Sequence, residues 1–143
     1  MTIYQPNYPD GPPPGFFTPD ARWCWESFGW PWCGHKILGH PEIVDPLESI
    51  EWDLRYEGLL PEIKCVLSWA PRHQLSDPSR PLSLHAWGLA LDINPDENPY
   101  GVESTLNPKL VEIFETYGFE WGGRWKTPDP MHFQWEAWRE IVK

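Results

Sequence analysis

The stretch Ser83-Leu84-His85-Ala86-Trp87-Gly88-Leu89-Ala90-Leu91-Asp92-Ile93-Asn94 reads as a short strand entered through a glycine turn. Side chains alternate faces along a strand, so Leu89, Leu91 and Ile93 fall on one face and Ala90 and Asp92 on the other, with the carboxylate turned away from a buried apolar row. A second short strand near the C-terminus repeats the pattern. There Met131, Phe133 and Trp135 can pack inward while His132 and Gln134 face the opposite side. If the two strands are neighbours in one antiparallel sheet, Asp92 and His132 converge on a single face, and the turn through Trp87 and Gly88 can bring His85 back to them. Two imidazoles and one carboxylate are a ligand set for catalytic zinc, because three protein ligands leave the fourth tetrahedral position open. Asp129, in Asp129-Pro130-Met131-His132, is then free to act as a base.

Outward from this strand, residues 43–57 carry Ile43, Leu47, Ile50 and Leu54 at helical spacing, with Gly58 where a left-handed cap belongs. Residues 62–69 contain Ile63, Cys65, Val66 and Leu67 and read as a strand, followed by a polar loop to Pro81. Asn107-Pro108 supplies a cap and first residue for a second helix, whose Leu110, Val111, Phe114 and Tyr117 share a face before Gly118 ends it. The expected class is α+β: a small single domain in which helices pack on an antiparallel sheet that carries the metal. Residues 1–34 read instead as an arm rich in proline and aromatic residues, and residues 35–143 as the domain. So much aromatic surface is costly to leave in water, so the arm is expected to pack onto the domain.

The chain has 143 residues, with 41% hydrophobic and 15% aromatic content, which suits one domain with one core. Its 11 tryptophans exceed the needs of a core, and some are expected to line a groove. A formal net charge of -10 argues against nucleic acid or an anionic membrane as partner, since both call for clustered Lys and Arg. The N-terminus lacks a basic region followed by an apolar one, and no stretch approaches the length of a membrane span. Synthesis as a soluble protein without its own export signal is therefore expected. Cys24, Cys33 and Cys65 cannot all pair within one chain. They read as free thiols, with a Cys24 to Cys33 bridge as the alternative.

The string from Ser83 to Asn94, with Trp121-Gly122-Gly123-Arg124-Trp125 and Asp129-Pro130-Met131-His132-Phe133 further along, resembles the M15 family of zinc peptidases. The similarity is greatest to the branch of phage L-alanyl-D-glutamate endolysins, and extends more distantly to D-alanyl-D-alanine carboxypeptidases and dipeptidases. It runs from about His35 to Trp135 and takes in Gly34-His35-Lys36 and the region of Asn98. The resemblance implies a fold shared with the Hedgehog signalling domain, with His85, Asp92 and His132 as ligands to Zn2+ and Asp129 as the catalytic acid and base. Arg72 matches the arginine that precedes the first motif, where its guanidinium can pair with a substrate carboxylate or stabilise an oxyanion. Ser83 and Trp87 belong to the same string, as residues that shape the metal loop and border the substrate. Arg124 and Lys126 depart from a pattern that is more acidic or aromatic, which bears on substrate preference at that rim.

The function so implied is a peptidoglycan peptidase, a phage endolysin cutting the L-Ala–D-Glu bond of the stem peptide through a zinc-activated water. It would be a monomer made in the host cytoplasm that reaches the wall after release. A D-Ala-D-Ala carboxypeptidase would use the same site. A noncatalytic zinc-stabilised binding or structural module would keep the three ligands but would not need Asp129. Iron(II) oxygenases share the ligand set, but typically begin with a His-x-Asp pair, unlike the six-residue spacer between His85 and Asp92. For Asp129 the plainer alternative is a loop residue between two prolines, and for Arg72 a solvated charge. His35, His40 and His73 read as structural or surface residues. Asp96 and Glu97 could hold a second cation such as calcium, although acids beside a turn are more often just solvated.

Overall fold

The computed structural model describes residues 29–68, 79 and 83–141. A hairpin opens it: β1 (Gly29–Trp32) pairs antiparallel with β2 (His35–Leu38) across Cys33 and Gly34. Both turn residues have positive φ, 51° and 82°, the geometry that lets a two-residue turn follow the twist of its strands. Residues 29–34 of the expected arm thus form a strand and turn, and Trp32 is 1% exposed and donates its indole N–H to Leu47 O at 2.7 Å. Residues 1–28, Cys24 among them, lie outside the described residues. The Cys33 thiol is pushed up to about 12, first by burial and then by the Glu51 carboxylate, so it stays protonated.

Helix α1 (Val44–Tyr56) follows the expected periodicity, and Ile43, Leu47, Ile50 and Leu54 are all fully buried. The strand expected over residues 62–69 is reduced to β3 (Val66–Leu67). The reason is local. Pro61 supports a 3₁₀ turn at Leu60–Glu62, and the Lys64 and Cys65 N–H groups both donate to Asn94 Oδ1, at 2.8 and 3.0 Å, so neither is available to a ladder.

The main sheet has four antiparallel strands in the order β3-β4-β6-β5, where β4 is Ala90–Ile93, β5 Phe119–Trp121 and β6 His132–Trp135. Asp92 lies directly opposite His132, and Leu91 opposite Phe133, which in turn opposes Trp121. Residues in register share a face, so the expected convergence of Asp92 and His132 occurs. Helix α2 (Pro108–Thr116), capped by the Asn107 side chain, covers the other face. Its Phe114 stacks on Phe133 at 4.4 Å between ring centroids and meets Trp32 and Phe119 edge-on at 5.8 and 5.6 Å. A short helix, α3 (Trp138–Ile141), closes the described chain. Helices and antiparallel sheets thus form one small domain, and none of its described helices is long and apolar enough to cross a membrane.

Candidate metal centre

Asp92 turns away from the apolar row of β4, as expected, but the face it turns to is covered. All four residues of β4 are buried, Asp92 at 4% exposure, as are His85 at 1% and His132 at 6%. The polar face is covered because the chain before β4 folds back over it. Residues Leu84–Trp87 form a 3₁₀ turn whose N-cap, Ser83, accepts from His85 N at 3.2 Å, and Gly88 ends it at φ 73°. That left-handed conformation, easy only for glycine, turns the chain into β4 and sets His85 above Asp92.

The geometry is close. His85 Nε2 lies 3.1 Å and His132 Nδ1 3.4 Å from the same oxygen, Asp92 Oδ1. Ligand atoms of all three residues lie within 4.8 Å of one another, and among the described residues no other group of three such side chains is gathered in this way. Adjacent ligand atoms of a tetrahedral zinc site are separated by about 3.3 Å, given Zn–N bonds of about 2.0–2.1 Å. The outward nitrogens are committed. His85 Nδ1 is 2.6 Å from the Ser68 carbonyl and His132 Nε2 is 2.8 Å from Gln134 Oε1. Both partners only accept, so the outer nitrogens carry protons, and the inner ones can give up theirs and offer lone pairs to a metal. The donor set therefore fits a zinc ion.

The charges agree with this. Burial opposes ionisation of Asp92, but hydrogen bonds from His132 and His85 outweigh it and hold the carboxyl below the usual range. Burial also opposes a charged His132, yet the Asp92 carboxylate, with Gln134 and the more distant Asp129, holds its pKa above the ordinary value. A buried carboxylate requires a cation beside it, and a proton or a metal ion can serve.

Asp129 sits at the rim, partly buried. Its N–H donates to Gly122 O at 2.8 Å and its carbonyl accepts from His132 N at 3.0 Å, which ties its loop to the start of β6. Gly122 is needed for this approach, since a Cβ there would meet Asp129 O at 2.5 Å and His132 Cβ at 3.3 Å. Ser83 and Trp87 are 5% and 2% exposed and sit within the loop that carries His85. Arg72 and His73 lie outside the described residues. His35 bonds Ile63 O at 2.9 Å and His40 Nδ1 accepts from Glu42 N at 3.0 Å, so neither joins the trio. Glu97 is engaged by Lys64 at 3.0 Å.

Four contributors were missed at the sequence level: Ser68, Gln134, Gly122 and Trp125. Trp125, 38% exposed, lies 5.4 Å from the His132 ring and is tethered through its indole N–H to Glu120 at 3.1 Å. Trp125 and Gly122 stand in the Trp121-to-Trp125 motif, but the motif assigned neither of them a role at the site.

Residues 76–135 match a family model described as D-alanyl-D-alanine carboxypeptidase, a family of M15 peptidases. The stretch contains His85, Asp92, Asp129 and His132, and over it the resemblance to the M15 peptidases is borne out. No curated protein and no solved structure matches the chain.

Proposed function

We propose that the protein is a zinc-dependent peptidoglycan peptidase, an endolysin that cuts the L-Ala–D-Glu bond of the stem peptide. The observation that carries this reading is the buried trio within the matched segment, with both imidazoles held by acceptors on their outer nitrogens. His85, Asp92 and His132 would hold the zinc. When bound, the ion supplies a Lewis acid for the scissile carbonyl and lowers the pKa of water toward about 7.

The chain's own residues would do the rest. Asp129, brought to the rim by its bonds to Gly122 and His132, would accept a proton and return it to the leaving amine, a role worth about 10²–10⁴-fold. Trp125 would wall the cleft beside His132. Arg72 would grip a substrate carboxylate or the developing oxyanion. The resemblance supports a Hedgehog-like arrangement of the sheet, and action on the wall by a monomer after release from the cell that makes it.

The description of the matching family favours a second reading, a D-Ala-D-Ala carboxypeptidase with the same centre. Digestion of purified peptidoglycan, with and without a chelator, separates the two by mass spectrometry. New N-terminal D-Glu is expected, whereas released D-Ala would move the assignment to the carboxypeptidase. The Asp129→Ala variant is expected to keep zinc but lose turnover. Near-normal turnover in that variant would remove Asp129 from the mechanism, and no cleavage of several wall types by zinc-loaded protein would sink both readings and leave a zinc-bearing module.

A further inference from the structure

We propose that Glu136, held by Arg139, is a positioning residue for the metal centre: it fixes the orientation of the Gln134 amide and, through it, the tautomer in which His132 can act as a ligand. This rests on the reading that the trio holds a metal ion, and not on which peptide bond is cut. An imidazole ligates through the nitrogen that lacks a proton while the other nitrogen carries one. His132 turns Nδ1 toward Asp92, so to hold a metal beside that carboxylate it must have Nδ1 bare and Nε2 protonated. Gln134 Oε1, 2.8 Å from Nε2, enforces that state because an amide oxygen only accepts.

A glutamine amide has two faces. Rotated by half a turn, Gln134 would offer its NH2 to Nε2, drive the proton onto Nδ1 and remove the ligand. Nothing in Gln134 itself selects the orientation, but Glu136 does. A carboxylate only accepts, so it captures the NH2 group: Gln134 Nε2 donates to Glu136 Oε2 at 2.9 Å. Arg139 Nε donates to the other oxygen, Oε1, at 2.8 Å, and its guanidinium lies 4.4 Å over the ring of the buried Trp138. The Glu136 N–H donates to Gly118 O at 2.9 Å, which anchors the backbone where β6 gives way to α3. Glu120, opposite Gln134 across the ladder, is engaged by Trp125 instead. Every bond in the relay from Arg139 to His132 then has one possible direction, and the metal-ready tautomer is the arrangement that satisfies all of them.

The test is the zinc dissociation constant, measured by competition with a chromophoric chelator. Glu136→Lys replaces the acceptor with a donor, which draws the Gln134 oxygen away from His132. Its zinc affinity is expected to fall about 10–100-fold, the usual effect of losing such a partner, and Gln134→Leu should fall similarly. Adding Gln134→Glu to Glu136→Lys supplies an acceptor that needs no orienting, and is expected to restore binding. Lost packing or general destabilisation would not be rescued in this way. Wild-type affinity in Glu136→Lys, or no recovery in the double variant, would overturn the relay. A wild-type protein that binds no zinc would overturn the metal reading itself.

Discussion

The two faces of the four-stranded sheet each hold deeply buried side chains, and opposite chemistry holds them there. On β6, His132 is 6% exposed and its neighbour Phe133 is 0% exposed, yet one enters a polar trio and the other an aromatic stack. The Phe133 face is held by apolar burial and dispersion, which are tolerant of small shifts and cumulative over many contacts. The His132 face has few groups, and each is stabilising only while its specific partner is in place, because a buried polar atom left unpaired costs about 1–3 kcal/mol. Occlusion alone therefore does not mark a core. The difference separates the part of the molecule that confers stability from the part that confers chemistry.

The strongest challenge to this division is a pair of substitutions on partnered strands. Asp92→Ala removes the oxygen shared by both histidines and is expected to abolish stoichiometric zinc binding, read by metal analysis after desalting. Phe133→Ala empties the centre of the opposite face and should lower unfolding stability by about 3–5 kcal/mol in denaturant titrations. Its folded fraction should still take up zinc. Loss of zinc from folded Phe133→Ala protein would mean that the faces are not separable.

A finer cut concerns Gly122, which stands between the faces. Its missing Cβ makes room for Asp129 against the start of β6. Gly122→Ala should push the Asp129 loop outward while leaving the trio intact, so kcat is expected to drop by up to about 10²-fold, as displacement of a positioned group by about 1 Å can do. Zinc stoichiometry should not change. An unchanged kcat would show that the loop absorbs the extra carbon without moving Asp129.

Much of this division was legible in the sequence, because strand parity depends only on a period of two. The parity placed Asp92 and His132 on one face and Leu91 and Phe133 on the other, and the observed register agrees. The helices were legible for the same reason, since Leu47, Ile50 and Leu54 mark their buried side by spacing alone. Parity says nothing of what lies above a face, so the burial of Asp92 beneath the turn at Leu84–Trp87 was not readable. Nor was the shortening of β3, which depends on the Asn94 side chain reaching back across some 30 positions to the Lys64 and Cys65 amides. Gln134 escaped because its role lies in the orientation of an amide, and that depends on Glu136 and Arg139.

The smallest expected effect tests the polar logic away from the trio. His40 is as buried as His132, at 5% exposure, and burial pushes its pKa down to about 4. Asp92 raises His132 instead, so two occluded imidazoles are displaced in opposite directions. A histidine whose folded pKa is depressed stabilises the fold above its unfolded pKa, near 6.5, and loses that contribution as pH falls toward 4. At about pH 5 the loss should be about 2 kcal/mol, from about 1.36 kcal/mol per unit of pH below 6.5. His40→Asn keeps an acceptor for the Glu42 amide without a titrating group, so its stability should fall less between pH 7 and pH 5 than that of the wild type. The trio is the same in both proteins, so the difference between their denaturant midpoints isolates His40. Parallel pH profiles would assign the acid sensitivity to the face that carries the trio, and the contrast between two buried imidazoles displaced in opposite directions would fail.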